Sequence, residues 1–156
     1  MLAEMLENPE VQAEFNAYPL HDRIAKIAHA AWIERAHAYQ IPPDLEIDYR
    51  VFLMLAGRGA GKTRSAAEAL WWWAWTHPNT MSIVLAPTSG DLKFTCFEGP
   101  SGLLECIPDE LVVDYNKQDH LIKLSNGSKI RGVSADSSGL IRRPSIMLSH
   151  ASFGPR

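Results

Sequence analysis

Residues 53–64 read LMLAGRGAGKTR, an apolar run that breaks into glycines and closes on Lys-Thr. The run Val51–Leu55 is short, apolar and free of turn residues, which predicts a buried strand. From Gly61 to Trp75 the periodicity is helical, and His77-Pro78-Asn79 stops it. Strand, glycine-rich turn and helix in that order suit an anion. Successive backbone N–H groups point into the turn, and the helix N-terminus adds partial positive charge. Gly57, Gly59 and Gly61 supply the curl around a phosphate, with Arg58 and Ala60 between them. Lys62 is placed to reach terminal phosphates, and the Thr63 hydroxyl to ligate Mg²⁺. The full pattern has glycine six positions before the lysine, where this chain has Ala56. Alanine there costs about 1 kcal/mol if the site needs positive φ, unless Gly57 takes over the role. The plainer alternative is a glycine-rich turn that binds nothing.

Working outward, Leu20, Ile24, Ile27 and Ala31 recur at helical spacing. They predict an amphipathic helix over about 20–38, ended by Pro42-Pro43. Ser82–Ala86 predicts a second short strand, and Thr88 with Asp91 has capping-box spacing. Leu121–Leu124 and Lys129–Val133 flank Asn126-Gly127, a strong hairpin signal. The order of elements implies an α/β protein whose core sheet is parallel. No internal repeat or low-complexity tract interrupts it.

The 156 residues suit one domain, and 46% hydrophobic content can fill a core. A net charge of −3 gives no global field for wrapping a polyanion, so nucleic-acid contact would have to be local. Cys96 and Cys106 match no metal spacing and are read as free thiols in a reducing cytosol. The acidic N-terminus predicts no secretory leader, and no apolar stretch nears the ~20 residues of a membrane span. His21, His29 and His37 drift by about 80° per step around one helix, so no metal site is expected there. Trp71, Trp72, Trp73 and Trp75 cannot all face one core, and one or two of them should pack on the sheet. Arg131, Arg142, Arg143 and Arg156 make the C-terminal region locally basic, a solvated tail or a DNA contact.

AGRGAGKTR followed by Ala66-Ala67-Glu68 and a tryptophan resembles the large terminase subunit of tailed bacteriophages. The resemblance continues through SIVLAPTSGD, FEGPSGLLECIP (97–108) and LIKLSNGSKIRGVSAD (121–136), and upstream through Trp32, Gln40 and Pro42-Pro43. It implies a P-loop NTPase-like fold with a three-layer parallel sheet, flanking helices and a β-hairpin. The domains it implies are an N-terminal helical segment at 1–44, a partial ATPase domain at 45–142 and a divergent tail at 143–156. It also implies an ATP-driven DNA-packaging motor that uses ATP and Mg²⁺. Lys62 and Thr63 would hold the phosphates and the metal, Arg58 would stabilise charge on the transferring phosphoryl group, and Gln40 would contact adenine. Double-stranded DNA, the small terminase subunit and the portal are the implied partners. The intact family forms a homo-oligomeric ring in the cytoplasm of the bacterial host.

The family pattern goes on to an apolar strand ending in Asp-Glu, which holds Mg²⁺ and activates water. Here GLIRRPSIMLSHASFGPR runs from Gly139 to Arg156, and no Asp or Glu follows Asp136. The expectation is a truncated ATPase domain from a decayed prophage, without the nuclease half and inactive alone. Apolar surface meant for the missing elements would then be exposed. Competing expectations are a non-catalytic remnant that binds nucleotide, DNA or a partner, and an unrelated small P-loop ATPase or kinase. The last needs an acidic residue closing a later strand, for which Asp114 after Leu111-Val112-Val113 is the best substitute.

Overall fold

The computed structural model describes residues 8–42, 52–135 and 147–151. Helix α1 (Pro9–Ala17) starts where proline fixes the first turn and the Asn8 side chain accepts from the Glu10 N–H at 3.0 Å. Helix α2 (Leu20–Arg35) ends three residues before the expected limit. Beyond it the chain makes a 3₁₀ turn, Ala38–Gln40, because the Gln40 side chain accepts from the His37 N–H at 2.9 Å and closes its own local ring. Helix α3 (Lys62–Thr76) follows the glycine turn almost as expected.

Strand β1 (Met81–Ala86) pairs in parallel with β4 (Lys129–Ser134). Strand β3 (Leu121–Leu124) pairs antiparallel with both β4 and β2 (Val112–Asn116). Strand β5 (Met147–Ala151), which the sequence pattern did not announce, lies antiparallel on the other side of β1. The order is β2-β3-β4-β1-β5. The expected parallel core sheet is therefore corrected to a mixed sheet with one parallel pair. The short links between β2, β3 and β4 force antiparallel neighbours, whereas a parallel pair needs a crossover of about a dozen residues or more. The parallel pair, β1 and β4, has 42 residues (87–128) between its strands, ample for such a crossover.

The strand expected at Val51–Leu55 is also corrected. Val51 lies outside the described residues, and 52–57 carry no strand pairing. Phe52, Leu53 and Leu55 are exposed. Both sides of β1 are already occupied, by β4 and β5, so the segment has no ladder to join there.

Alternation along the strands buries one face of the sheet. Ser82, Val84, Ala86, Ile122, Leu124 and Ile130 point inward, while Lys129, Arg131 and Val133 are exposed on the other face. On the buried face α3 packs with α2 behind it, beside a π-helical turn, Leu92–Phe97. The described residues thus form two layers where three were expected. Trp71, Phe97, Leu92, Leu103, Leu111, Ile122 and Ile130 are wholly buried and make the centre of the core. Trp71 and Trp75, one turn apart on α3, face inward. Trp72 stacks on His29 of α2 at 3.9 Å and Trp73 on His77 at 4.3 Å. The tryptophan run is therefore shared between the core and the helix neighbours. The hairpin turn forms at Asn126-Gly127 as its sequence predicts, with Gly127 at φ 85°.

Candidate functional site

Gly59 (φ 82°) and Gly61 (φ 76°) adopt the left-handed conformation that admits glycine most readily. Gly57 does not, and neither does Ala56, so alanine at that position carries no φ strain. Gly61 is the residue before the first turn of α3, and its carbonyl accepts from the Ser65 N–H at 2.9 Å. The loop thus opens directly onto the positive end of a 15-residue helix. Beside Gly57 and Gly59 the space is open, as a cradle for an anion requires.

Lys62 is exposed, and its Nζ donates to the carbonyls of Ala56 at 2.8 Å and Gly57 at 2.6 Å. The ammonium therefore reaches back across the loop to where the loop begins. Arg58 stands exposed at the tip with no hydrogen bond or ion pair among the described residues. Ala60 is half-buried, and its carbonyl accepts from Gln40 Nε2 at 3.3 Å. Thr63 is half-buried on the sheet side of α3, near Val84, Cys96 and Leu103.

Gln40 is buried and tied into the loop from both ends of its amide. Its Oε1 takes the His37 N–H, and its Nε2 reaches Ala60 and lies where a Cβ on Gly61 would stand. The Ser65 hydroxyl donates to the Gln40 carbonyl. These contacts make Gln40 a strut under the loop, with one amide hydrogen left for other work. Ser65 was not legible as a loop-supporting residue, because the contact joins positions 25 apart with no motif between them.

Behind the loop, Glu68 is 2% exposed and receives the Arg64 guanidinium at 2.7 Å and Trp71 Nε1 at 2.6 Å. This closed group ties the second turn of α3 to the core and turns the Glu68 carboxylate away from the loop. Asp114 does not serve as the substitute acid. It lies inside β2 rather than at a strand end, on the edge of the sheet away from β1, and its carboxylate is engaged by Lys123 at 2.9 Å. Asp136, Arg142, Arg143 and Arg156 lie outside the described residues. Burial pushes the Cys96 thiol up to about 11 and the Cys106 thiol up to about 12, with Asp91 and Glu68 adding in turn, so neither is a ready nucleophile. No helix among the described residues is long and apolar enough to cross a membrane.

A left-handed glycine turn opens onto a helix that packs against a mixed sheet, with lysine as the first helical residue; the class is an α/β protein whose loop has the geometry that suits an anion. The family model described as "Terminase large subunit, T4likevirus-type, N-terminal" matches residues 53–140, more than half of the chain. The chain belongs to that terminase large subunit family. No curated protein and no solved structure matches it.

Proposed function

We propose that Gly57–Thr63 binds the phosphates of ATP with Mg²⁺, as the nucleotide site of a phage DNA-packaging motor. The observation that carries this is the pair of left-handed glycines, Gly59 and Gly61, opening onto the N-terminus of α3 with Lys62 beside them. In this assignment the Lys62 ammonium exchanges its two loop carbonyls for phosphate oxygens. Thr63 carries the hydroxyl for the metal, which would supply charge stabilisation for the phosphoryl group. Arg58, free at the loop tip, is the candidate to approach the terminal phosphate. Gln40 holds the loop by its backbone-directed bonds and offers its remaining N–H toward the base.

The same proposal places the intact subunit in a P-loop NTPase fold with three layers. It acts on double-stranded DNA in the host cytoplasm, with the small terminase subunit and the portal as partners. For the 156 residues alone we propose binding without turnover. No Asp or Glu follows Asp136, Glu68 is closed off and Asp114 is engaged elsewhere. A positioned general base contributes about 10²–10⁴-fold in rate, and among the described residues no free carboxylate stands beside the loop.

Titration of the purified chain with a fluorescent ATP analogue in Mg²⁺ should show saturable binding that is lost in Lys62→Ala. Equal binding by wild type and variant would remove the loop from the assignment. Phosphate release should stay at background, and Mg²⁺-dependent turnover that vanishes in Lys62→Ala would overturn the inactivity.

A further inference from the structure

A cleft of about 270 Å³ lies apart from the phosphate loop's own residues, between Ser89, His120 and the Arg131–Ser134 end of β4. The start of β4 is fastened to the C-terminal end of α3. Ser128 Oγ donates to the His77 carbonyl at 3.0 Å, and the Lys129 N–H to the Thr80 carbonyl at 2.8 Å. The cleft is therefore at the carboxyl end of the parallel pair, the end toward which α3 presents its N-terminus. Ligands of open α/β sheets bind at that end.

Three structural costs converge on His120. Its backbone is left-handed at φ 45°, which side chains other than glycine rarely adopt. The residue is only 9% exposed, and its Nδ1 is buried without a hydrogen-bond partner. Gly132, inside β4, has no side chain because a Cβ there would stand 2.8 Å from His120 Cβ and 2.9 Å from Phe97 Cε2. Buried polar atoms are normally satisfied and residues normally relax out of such φ values, so the combination is unusual for a site whose only role is packing.

The arrangement holds one imidazole against one hydroxyl, with His120 Nε2 3.2 Å from Ser89 Oγ. An Nδ1 without an acceptor is best left as a lone pair, which puts the hydrogen on Nε2 and directs it to Ser89 Oγ. The Ser89 hydroxyl hydrogen is then free to point into the cleft. Arg131, on the same lining, has no ion pair among the described residues. Asp119 is also on the lining, with its Oδ2 held by Asn116 Nδ2 at 2.8 Å. Ser89 and Arg131, a hydroxyl and a guanidinium, are thus both on the lining of a space larger than a water molecule.

We propose that this cleft is a second oxyanion site that takes a phosphate group, with Ser89 and Arg131 as donors and His120 as the residue that positions the Ser89 hydroxyl. The phosphate comes either from free inorganic phosphate or from a nucleic-acid backbone.

The test is ¹⁵N NMR of the histidine side chains, with His120 assigned through His120→Gln, during titration with inorganic phosphate and, separately, with a short DNA duplex. A saturable shift at His120 is expected with at least one probe. Arg131→Gln should weaken it about tenfold or more, since it removes a charge-assisted bond. Ser89→Ala should weaken it less, and Lys62→Ala should leave it unchanged. Arg131 is exposed on the open face of the sheet, so its variant keeps the fold, which circular dichroism verifies. A response to phosphate itself identifies the free ion, and a response to the duplex alone identifies the backbone. No shift with either probe would overturn the site. So would a shift that survives Arg131→Gln and disappears in Lys62→Ala, because the phosphate loop would then be the sole binder.

Discussion

Replacing the three glycines of the 57–61 loop by alanine, one at a time, should give three different stabilities. Gly57→Ala adds a methyl group to open space at an ordinary φ, so it should fall within about 0.5 kcal/mol of wild type. Gly59→Ala also meets open space but at φ 82°, and should cost the left-handed penalty of about 1–2 kcal/mol. Gly61→Ala carries the same penalty at φ 76° and drives its Cβ into the Gln40 amide. Moving that amide loses its bonds to His37 and Ala60, at about 1 kcal/mol each, for a total of about 3–4 kcal/mol. Urea unfolding followed by tryptophan fluorescence reads all three. In a Gln40→Ser background the obstruction is gone, and Gly61→Ala should then cost no more than Gly59→Ala, a coupling of about 2 kcal/mol. Three equal costs, or no change in the Gln40→Ser background, would refute both the loop geometry and the strut beneath it.

His29 offers a pH test. Burial lowers its pKa from 6.5 to about 4, so between those values the unfolded chain binds more protons than the folded one. Its contribution is complete above pH 6.5 and is lost as pH falls toward 4. The shift corresponds to about 3 kcal/mol at most, and stacking of the protonated ring on Trp72 returns about 1–2 of that. Wild type should therefore lose about 1–2 kcal/mol more than His29→Gln between pH 7 and 4, and parallel profiles would exclude the buried stack. Glu68→Ala strands Trp71 Nε1 and the Arg64 guanidinium together and should cost about 3–5 kcal/mol in urea unfolding; a cost under about 1 would mean the group is not closed. Leu53→Ser and Leu55→Ser, at positions 71% and 85% exposed, should change stability by less than about 0.5 kcal/mol while reducing hydrophobic-dye binding. A loss above about 2 kcal/mol would place them in a paired strand after all.

The elements legible in the sequence were those whose cause is local. Asn126-Gly127 turns because its own φ preferences demand it, and α3 runs from Lys62 to Thr76 because Gly61 opens it and His77-Pro78 closes it. The loop was legible for the same reason, down to Lys62 beside its glycines. Strand direction and partnership were not. Val51–Leu55 has the composition of a buried strand, yet β5, drawn from a stretch with no comparable signal, holds the place beside β1. Asp114 looked like a strand-ending acid because Leu111-Val112-Val113 precedes it, but β2 continues through it to Asn116 under the pairing of β3. The roles of Gln40, Ser65 and His120 depend on contacts across 20 to 31 positions, which no motif spells out.

The Asn126 amide at the hairpin tip donates to the carbonyls of Ala74 and Trp75, both at 2.9 Å, and so closes the last turn of α3. The opposite end of the same helix frames the glycine loop. At 1.5 Å per residue the helix is a rod of about 22 Å, with its far bearing in the sheet and its near bearing in the glycine turn. An α-helix resists stretching and bending far more than a loop does, so a push on the loop is delivered to the hairpin as displacement rather than absorbed on the way. The turn at Asn126-Gly127 is consequently the stop against which any displacement of the helix starting at Lys62 would press.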